Sequence, residues 1–367
     1  EYLDLSGQKA NNAKAVVEAK HCFDEGMKLL DTMPDTEKNR EYRLSLLANS
    51  AMMFQLLLRM PEYYEILVRY EGLVAGIGSS RLSGTFHASM AICEVILGFY
   101  DSAMQNSKRA ADLCQLGGDV HGVARALYHL QWSHLYKGDL EQSIALKERI
   151  LRELPEGVAL YLTVAPLSLS SLAKALLGRW NDAVKDARQA LALAEEYSDD
   201  TLISLAASYV GLANTWKGHF DPAVEYGELA VKKALSPQDK AFSKAFLAWT
   251  LCRVERSEEH VQSLAQFVQD LTSRRIAGFA ITFMPLLAEG CLLAGNYDKA
   301  RQMAADAVGL AEARGAKWFL AFSHRLIGEI ALKTNPDEAP PHFDRAMSIC
   351  KVIKAENELA LAYSGLG

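Results

Sequence analysis

The sequence has no GxxxxGKS/T stretch, no HExxH and no CxxC pair. The first absence excludes a phosphate-cradling P-loop, and the second a helix-borne zinc pair with its general base. The third removes the usual redox and zinc spacings of cysteine. No apolar run approaches the ~18–20 residues that cross a bilayer as a helix, and no signal-peptide pattern opens the chain. Proline and glycine are sparse, at 10 and 24 in 367 residues, too few for a linker-rich or disordered chain. Positive charge is also short: the net charge is −6 and no basic stripe stands out, so nucleic acid and anionic membrane are not expected partners.

What chemistry-bearing residues there are do not converge. Cys22, Cys93, Cys114, Cys252, Cys291 and Cys350 lie far apart, each inside an apolar helical pattern that suits a buried, reduced thiol. Reduced cysteines point to a cytoplasmic location. His129 and His134 are five apart on one helix and diverge, so no metal site is expected. The pairs Glu195-Glu196 and Asp199-Asp200 end a helix and fill a turn, with no cleft implied in which one acid could hold a proton for the other. Gly76-Ile77-Gly78 starts like a dinucleotide fingerprint but lacks the third glycine and reads as a loop. No catalytic residue and no cofactor is expected.

What is present is a ladder. Gly98, Gly138, Gly178 and Gly218 fall at three consecutive steps of 40, each within a similar short stretch, and Gly295 begins a fifth copy 77 residues beyond Gly218. That interval leaves room for one degenerate copy near Arg256-Ser257, where the glycine is missing. Self-similarity at such a period is the mark of a stacked repeat. The glycine suits the left-handed residue that ends a helix. An Asp or Asn two or three residues on is positioned to cap the next helix, and Pro222 fits that helix's first position. Five residues after the glycine a small residue recurs (Ala103, Ser143, Ala183, Ala223, Ala300), and another follows seven later in most copies (Ala110, Ala190, Ala230, Ala307). Small side chains two turns apart let helices approach closely. The run from Ala183 to Ala194 has apolar residues at spacings of three and four and charges opposite them, the pattern of an amphipathic helix. No strand-like alternation occurs.

These features predict an all-α chain, a right-handed superhelical solenoid of about nine helix-turn-helix copies in one domain, 1–367. The copies fall at roughly 1–34, 40–76, 81–117, 121–154, 160–198, 201–235, 239–274, 278–315 and 318–354, with a lone helix over 356–367.

The paired small residues, and a further small residue seven before the turn glycine (Ala91, Ser171, Gly211, Ala288), resemble the tetratricopeptide repeat. The pitch is about 40 rather than 34, and most aromatic and proline consensus positions are absent. Longer repeats of this kind look like those at the C-terminal end of bacterial signalling proteins that carry a STAND-type ATPase module, often with a class III nucleotide cyclase domain. The opening run Glu1-Tyr2-Leu3-Asp4-Leu5-Ser6-Gly7-Gln8-Lys9-Ala10, with Ala19 to Leu30 after it, resembles the segment where such proteins pass into their repeats. With a chain that starts at Glu1 and ends on an unpaired helix, this implies a piece of a larger protein. No nucleotide-binding or cyclase residue is carried over, because none of those motifs occurs here.

The resemblance also implies where a partner sits. Tyr128, Trp132 and Tyr136 are spaced four and four on one helical face, near the first-helix positions that line the concave groove of tetratricopeptide proteins. The equivalent places in the next two copies hold Ser168, Leu172, Ser208, Leu212 and Trp216. This set predicts a groove for a protein partner: a peptide segment, an adjacent domain of the same chain, or a second copy. The other account of the rings is that they fill the space between helices. A free-standing adaptor, a self-assembling scaffold and a small-molecule sensor are the alternative functions.

Overall fold

A computed structural model describes residues 15–155 and 159–367. Among them every regular element is helical. In chain order the helices are α1 (Val16–Asp31), α2 (Glu37–Ala48), α3 (Ala51–Leu56), α4 (Met60–Tyr70), α5 (Ser80–Leu97), α6 (Tyr100–Leu116), α7 (Val120–Lys137), α8 (Leu140–Glu153), α9 (Tyr161–Leu176), α10 (Trp180–Glu196), α11 (Asp200–Lys217), α12 (Phe220–Lys233), α13 (Pro237–Glu255), α14 (Glu258–Ser273), α15 (Ala277–Leu293), α16 (Tyr297–Arg314), α17 (Lys317–Thr334), α18 (Ala339–Ile353) and α19 (Glu356–Gly365). Short 3-10 turns lie over Glu71–Gly76 and Pro336–Glu338. The architecture is a tetratricopeptide-like helical solenoid. None of the described helices is long and apolar enough to cross a membrane.

From α5 onward, odd and even helices alternate as first and second members of a copy. The turn chemistry follows the glycine ladder. Gly98, Gly138 and Gly218 end α5, α7 and α11 at φ of 83°, 85° and 81°, and Gly178 and Gly295 hold the same left-handed geometry. In the degenerate copy Arg256 takes that conformation at φ 53°, which costs a non-glycine residue of the order of 1 kcal/mol. Capping departs from the expectation. Asn296 alone among the residues after the turn glycines accepts from a backbone N–H of the helix it opens, that of Lys299. Asp101, Asp182 and Asp221 lie inside the first turn instead, where the positive end of the helix dipole favours them. Pro222 is the third residue of α12, not its first; its missing N–H is still one that would have no helical acceptor. Side-chain capping occurs at the other set of turns: Ser79, Asp119, Asp199 and Ser236 cap α5, α7, α11 and α13.

The small residues are packing residues. Ala103, Ser143, Ala183, Ala223 and Ala300 are buried, as are Ala110, Ala190, Ala230 and Ala307. α12 and α16 bury little besides this stripe, whereas α14 and α18 add larger residues such as Phe267 and Phe343. The first helices are buried nearly all round: α5 is buried from Ser83 to Leu97, and α15 from Gly278 to Ala288. They therefore form an inner layer, and the second helices an outer one. The N-terminal part is less regular than the ladder implies. Where one copy was expected over 40–76, the chain breaks at Asn49-Ser50 and again at Leu57-Leu58-Arg59, giving α2, α3 and α4. The first copy contributes only α1, since its earlier residues and the opening run 1–10 lie outside the described residues. So do Glu156 and Gly157 of the turn after α8.

The inner layer closes on itself. Beyond packing against neighbouring first helices, α5 packs on α15, α7 on α17 and α3 on α13. At the α5–α15 crossing the backbones nearly touch: a Cβ added to Gly278 would fall 2.3 Å from the Val95 carbonyl oxygen and 2.7 Å from that of Ile96. Trp318 on α17 donates its indole N–H to the Leu176 carbonyl of α9 at 3.1 Å. One continuous apolar core consequently runs from Ala19 to Ala355.

Candidate functional site

The eight residues expected to line the groove divide in two. Tyr136 is buried, stacked on Tyr100 (ring centroids 5.1 Å apart) and on Phe319 of α17 (5.7 Å), with its hydroxyl 3.2 Å from Thr282 Oγ1 of α15. Trp216 packs on Trp249, Trp318 and Phe322. Leu172 and Leu212 belong to the same core. Tyr136 and Trp216 thereby join the N-terminal first helices to α15 and α17. Tyr128, Trp132, Ser168 and Ser208 border a cavity of about 880 Å³. The C-terminal first helices lie across the N-terminal ones, so the inner wall narrows to a chamber that stays open to solvent past Ser79, Arg81 and His121.

The chamber is built from α2 and α3 on one side and from successive first helices α5, α7, α9, α11, α13 and α15 on the others. Its aromatic lining is connected. Tyr128 lies 5.8 Å from Trp132 and 5.7 Å from Tyr161, whose hydroxyl donates to that of Tyr128 at 3.3 Å. Trp132 approaches Phe279, which is met edge-on by Phe242. Tyr209 and Phe246 complete this wall. Hydroxyls of Thr85, Ser89, Ser168, Ser204 and Ser208 punctuate it, all of them buried and all bonded to backbone carbonyls. The volume, and an apolar wall with a few placed polar groups, match what a small ligand or a few residues of peptide require.

The charges on the wall are mostly committed. Asp119 caps α7 and lies 3.3 Å from Arg81; Asp199 caps α11; Asp239 closes a capping box with Ser236. Burial pushes His129 down to about 3, with Arg125 a second cause, so its imidazole is neutral. No cluster of three or more His, Cys, Asp or Glu that would hold a metal ion occurs among the described residues. Burial raises the thiols of Cys93, Cys252, Cys291 and Cys350, which disfavours their thiolate forms.

His129 makes a pH prediction. The unfolded imidazole titrates near 6.5, so the folded value lies below the unfolded one. The unfolded chain then binds a proton that the folded chain refuses as pH falls below about 6.5, and stability is lost progressively towards pH 3. Between pH 7.5 and 5 this one group removes roughly 2 kcal/mol. Urea unfolding at the two pH values should show it, with His129→Gln losing that much less stability on acidification than the parent chain. An equal pH dependence in both would assign the loss to other groups, since burial lowers His87, His324 and His342 as well.

Sequence reasoning found Tyr128 and Trp132 from their spacing, but not Arg125, His129, Tyr161, Tyr209, Phe242 or Phe279. Arg125 was within reach, since it stands three residues before Tyr128 and seven before Trp132 on the same helical face. Phe279 was not: it arrives across the chamber from 147 positions away in the chain.

No protein-family model and no curated protein matches the chain. Among solved structures it is similar to a Rap protein complexed with competence and sporulation factor, at TM-score 0.72 and 15% identity over 97% of this chain and 98% of that one. It is similar to NprR in complex with its cognate peptide NprX at TM-score 0.63 and 13% identity, covering 94% and 99%. A third similar structure is the Rap conjugation gene regulator of plasmid pLS20 in complex with the Phr* peptide, at TM-score 0.61 and 15% identity, covering 98% and 97%. At these identities the likeness is one of fold.

Proposed function

We propose that this chain is a non-catalytic recognition module that takes a short peptide into the chamber between its inner helices. The observation that carries the reading is the chamber itself: about 880 Å³, bordered by first helices from both halves of the chain and lined by linked aromatic rings. The peptides named in two of the similar structures support it. Tyr128, Trp132, Ser168 and Ser208 are its contact residues, and Tyr136, Leu172, Leu212 and Trp216 pack in the core beside it. A ligand touching both halves binds the closed arrangement better than an opened one, and by that difference in affinity it shifts the balance between them. The repeat domain thereby acts as a sensor, and the resemblance of residues 1–10 suggests a larger signalling chain whose ATPase or cyclase part would feel the shift; reading the codons on either side of this sequence tests that extension.

The central claim is tested by affinity selection from a synthetic library of random hexapeptides. The wild-type chain should retain a defined subset, and Ser168→Phe, which drives a ring into the chamber, should retain none of it while unfolding cooperatively. Failure of the wild type to enrich any peptide refutes the reading.

A further inference from the structure

Arg125 is the one guanidinium on the chamber wall that has no carboxylate partner among the described residues. Its Nη2 lies 3.4 Å from Thr85 Oγ1, a long contact to a neutral hydroxyl that is itself bonded to Arg81 O, and its buried Nε has no partner. The neighbouring groups offer it nothing negative. His129, one turn further along α7, is buried with Nδ1 unpartnered, and Tyr128 and Trp132 continue the same face. The three aspartates on the wall are tied to Arg81 and to backbone N–H groups at the starts of α7, α11 and α13. A half-buried guanidinium with an unmet donor is a ready partner for an anion.

We infer that Arg125 is the subsite for a carboxylate of the bound peptide, with the aromatic stripe of Tyr128 and Trp132 receiving the residues next to that carboxylate. A carboxylate matches the planar fork of the guanidinium. A phosphate dianion does not fit as well, because Asp119, Asp199 and Asp239 outnumber Arg81 and Arg125 on the same wall. The carboxylate is either the C-terminus of the peptide or the side chain of an acidic residue in it.

This subsite rests on the peptide reading, and the experiment separates the two. Three hexapeptide libraries are offered to the full chain: free acids without Asp or Glu, C-terminal amides without Asp or Glu, and C-terminal amides that contain them. The wild type should retain the first or the third, which identifies the source of the carboxylate, and bind the second at least about tenfold more weakly. Arg125→Gln should weaken the retained peptides by about 10- to 100-fold, with Arg125→Lys between, and with thermal midpoints close to the parent's. Retention of the carboxylate-free amides as strongly as the others overturns the subsite and leaves the peptide reading standing, as does unchanged affinity in a folded Arg125→Gln. Retention of none of the three sinks both. If Arg125→Gln does not fold, the acid-against-amide comparison on the wild type decides by itself.

Discussion

Gly278→Ala should destabilise the chain by about 3 kcal/mol or more and loosen the seam between α5 and α15. Helix propensity alone argues the reverse, since alanine is favoured over glycine by about 1 kcal/mol in a helix. The contact decides the sign. The added Cβ would stand 2.3 Å from the Val95 oxygen, 2.7 Å from the Ile96 oxygen and 2.9 Å from the Ile96 carbonyl carbon, all backbone atoms of a fully buried helix. A flexible side chain could swing aside, but here α5 has to move as a body. Denaturant unfolding gives the energy and small-angle scattering the opening, as an increased radius of gyration. A stabilisation of about 1 kcal/mol with unchanged dimensions, the value propensity predicts, would mean that α5 and α15 do not touch in solution.

Glu358→Ala is expected to cost roughly 3–5 kcal/mol, the range for breaking a buried ion pair by removing one partner. Arg325 on α17 is 4% exposed and donates through Nε to Glu358 of α19, which is 0% exposed, while Nη1 bonds Glu329 one turn along its own helix. Burial raises the Glu358 carboxyl, and Arg325 opposes the rise. Without Glu358 the guanidinium keeps only the more exposed Glu329. The other anchors of the lone helix α19 are Leu359 and Ala362 against the cluster of Phe343, Asn357 against Gly178, and Gly365 lying so close to the Phe343 ring that a Cβ there would overlap it. Released, α19 should become sensitive to protease near Ala355-Glu356. Urea unfolding and limited proteolysis read the two effects, and a loss below about 1 kcal/mol with α19 still protected would show the pair to be dispensable.

The repeat was legible because it is local. A left-handed glycine, a small residue five positions on and an amphipathic outer helix are each set within one copy, so spacing alone locates α5 to α12, α15 and α16. Where the glycine gives way to Arg256 the turn persists, held by the packing of α13 and α14 against their neighbours. The break between α2 and α3 was not legible, because neither glycine nor proline marks Asn49-Ser50, whereas the break before α4 carries Pro61 in that helix's first turn. The chamber was half legible. Tyr128, Trp132, Ser168 and Ser208 follow from helical periodicity and the repeat register, but the same register placed Tyr136, Leu172, Leu212 and Trp216 beside them. Whether a first-helix residue meets solvent, ligand or another helix depends on the curvature accumulated over several copies, and no single copy encodes it.

Stacked repeats are ordinarily described as a one-dimensional array, in which each unit feels only the units on either side and the ends fray independently. The crossings of α3 with α13, α5 with α15 and α7 with α17 add couplings between units several positions apart. Such a chain cannot be shortened one copy at a time: removing α15 to α19 strips the apolar faces of α5 and α7 as well as the terminal units. Melting should accordingly be concerted across the molecule instead of spreading inward from its tips, and assembly should wait on contacts such as that of Gly278 with Val95, 183 positions apart, which places it among slow-folding topologies despite its all-helical composition.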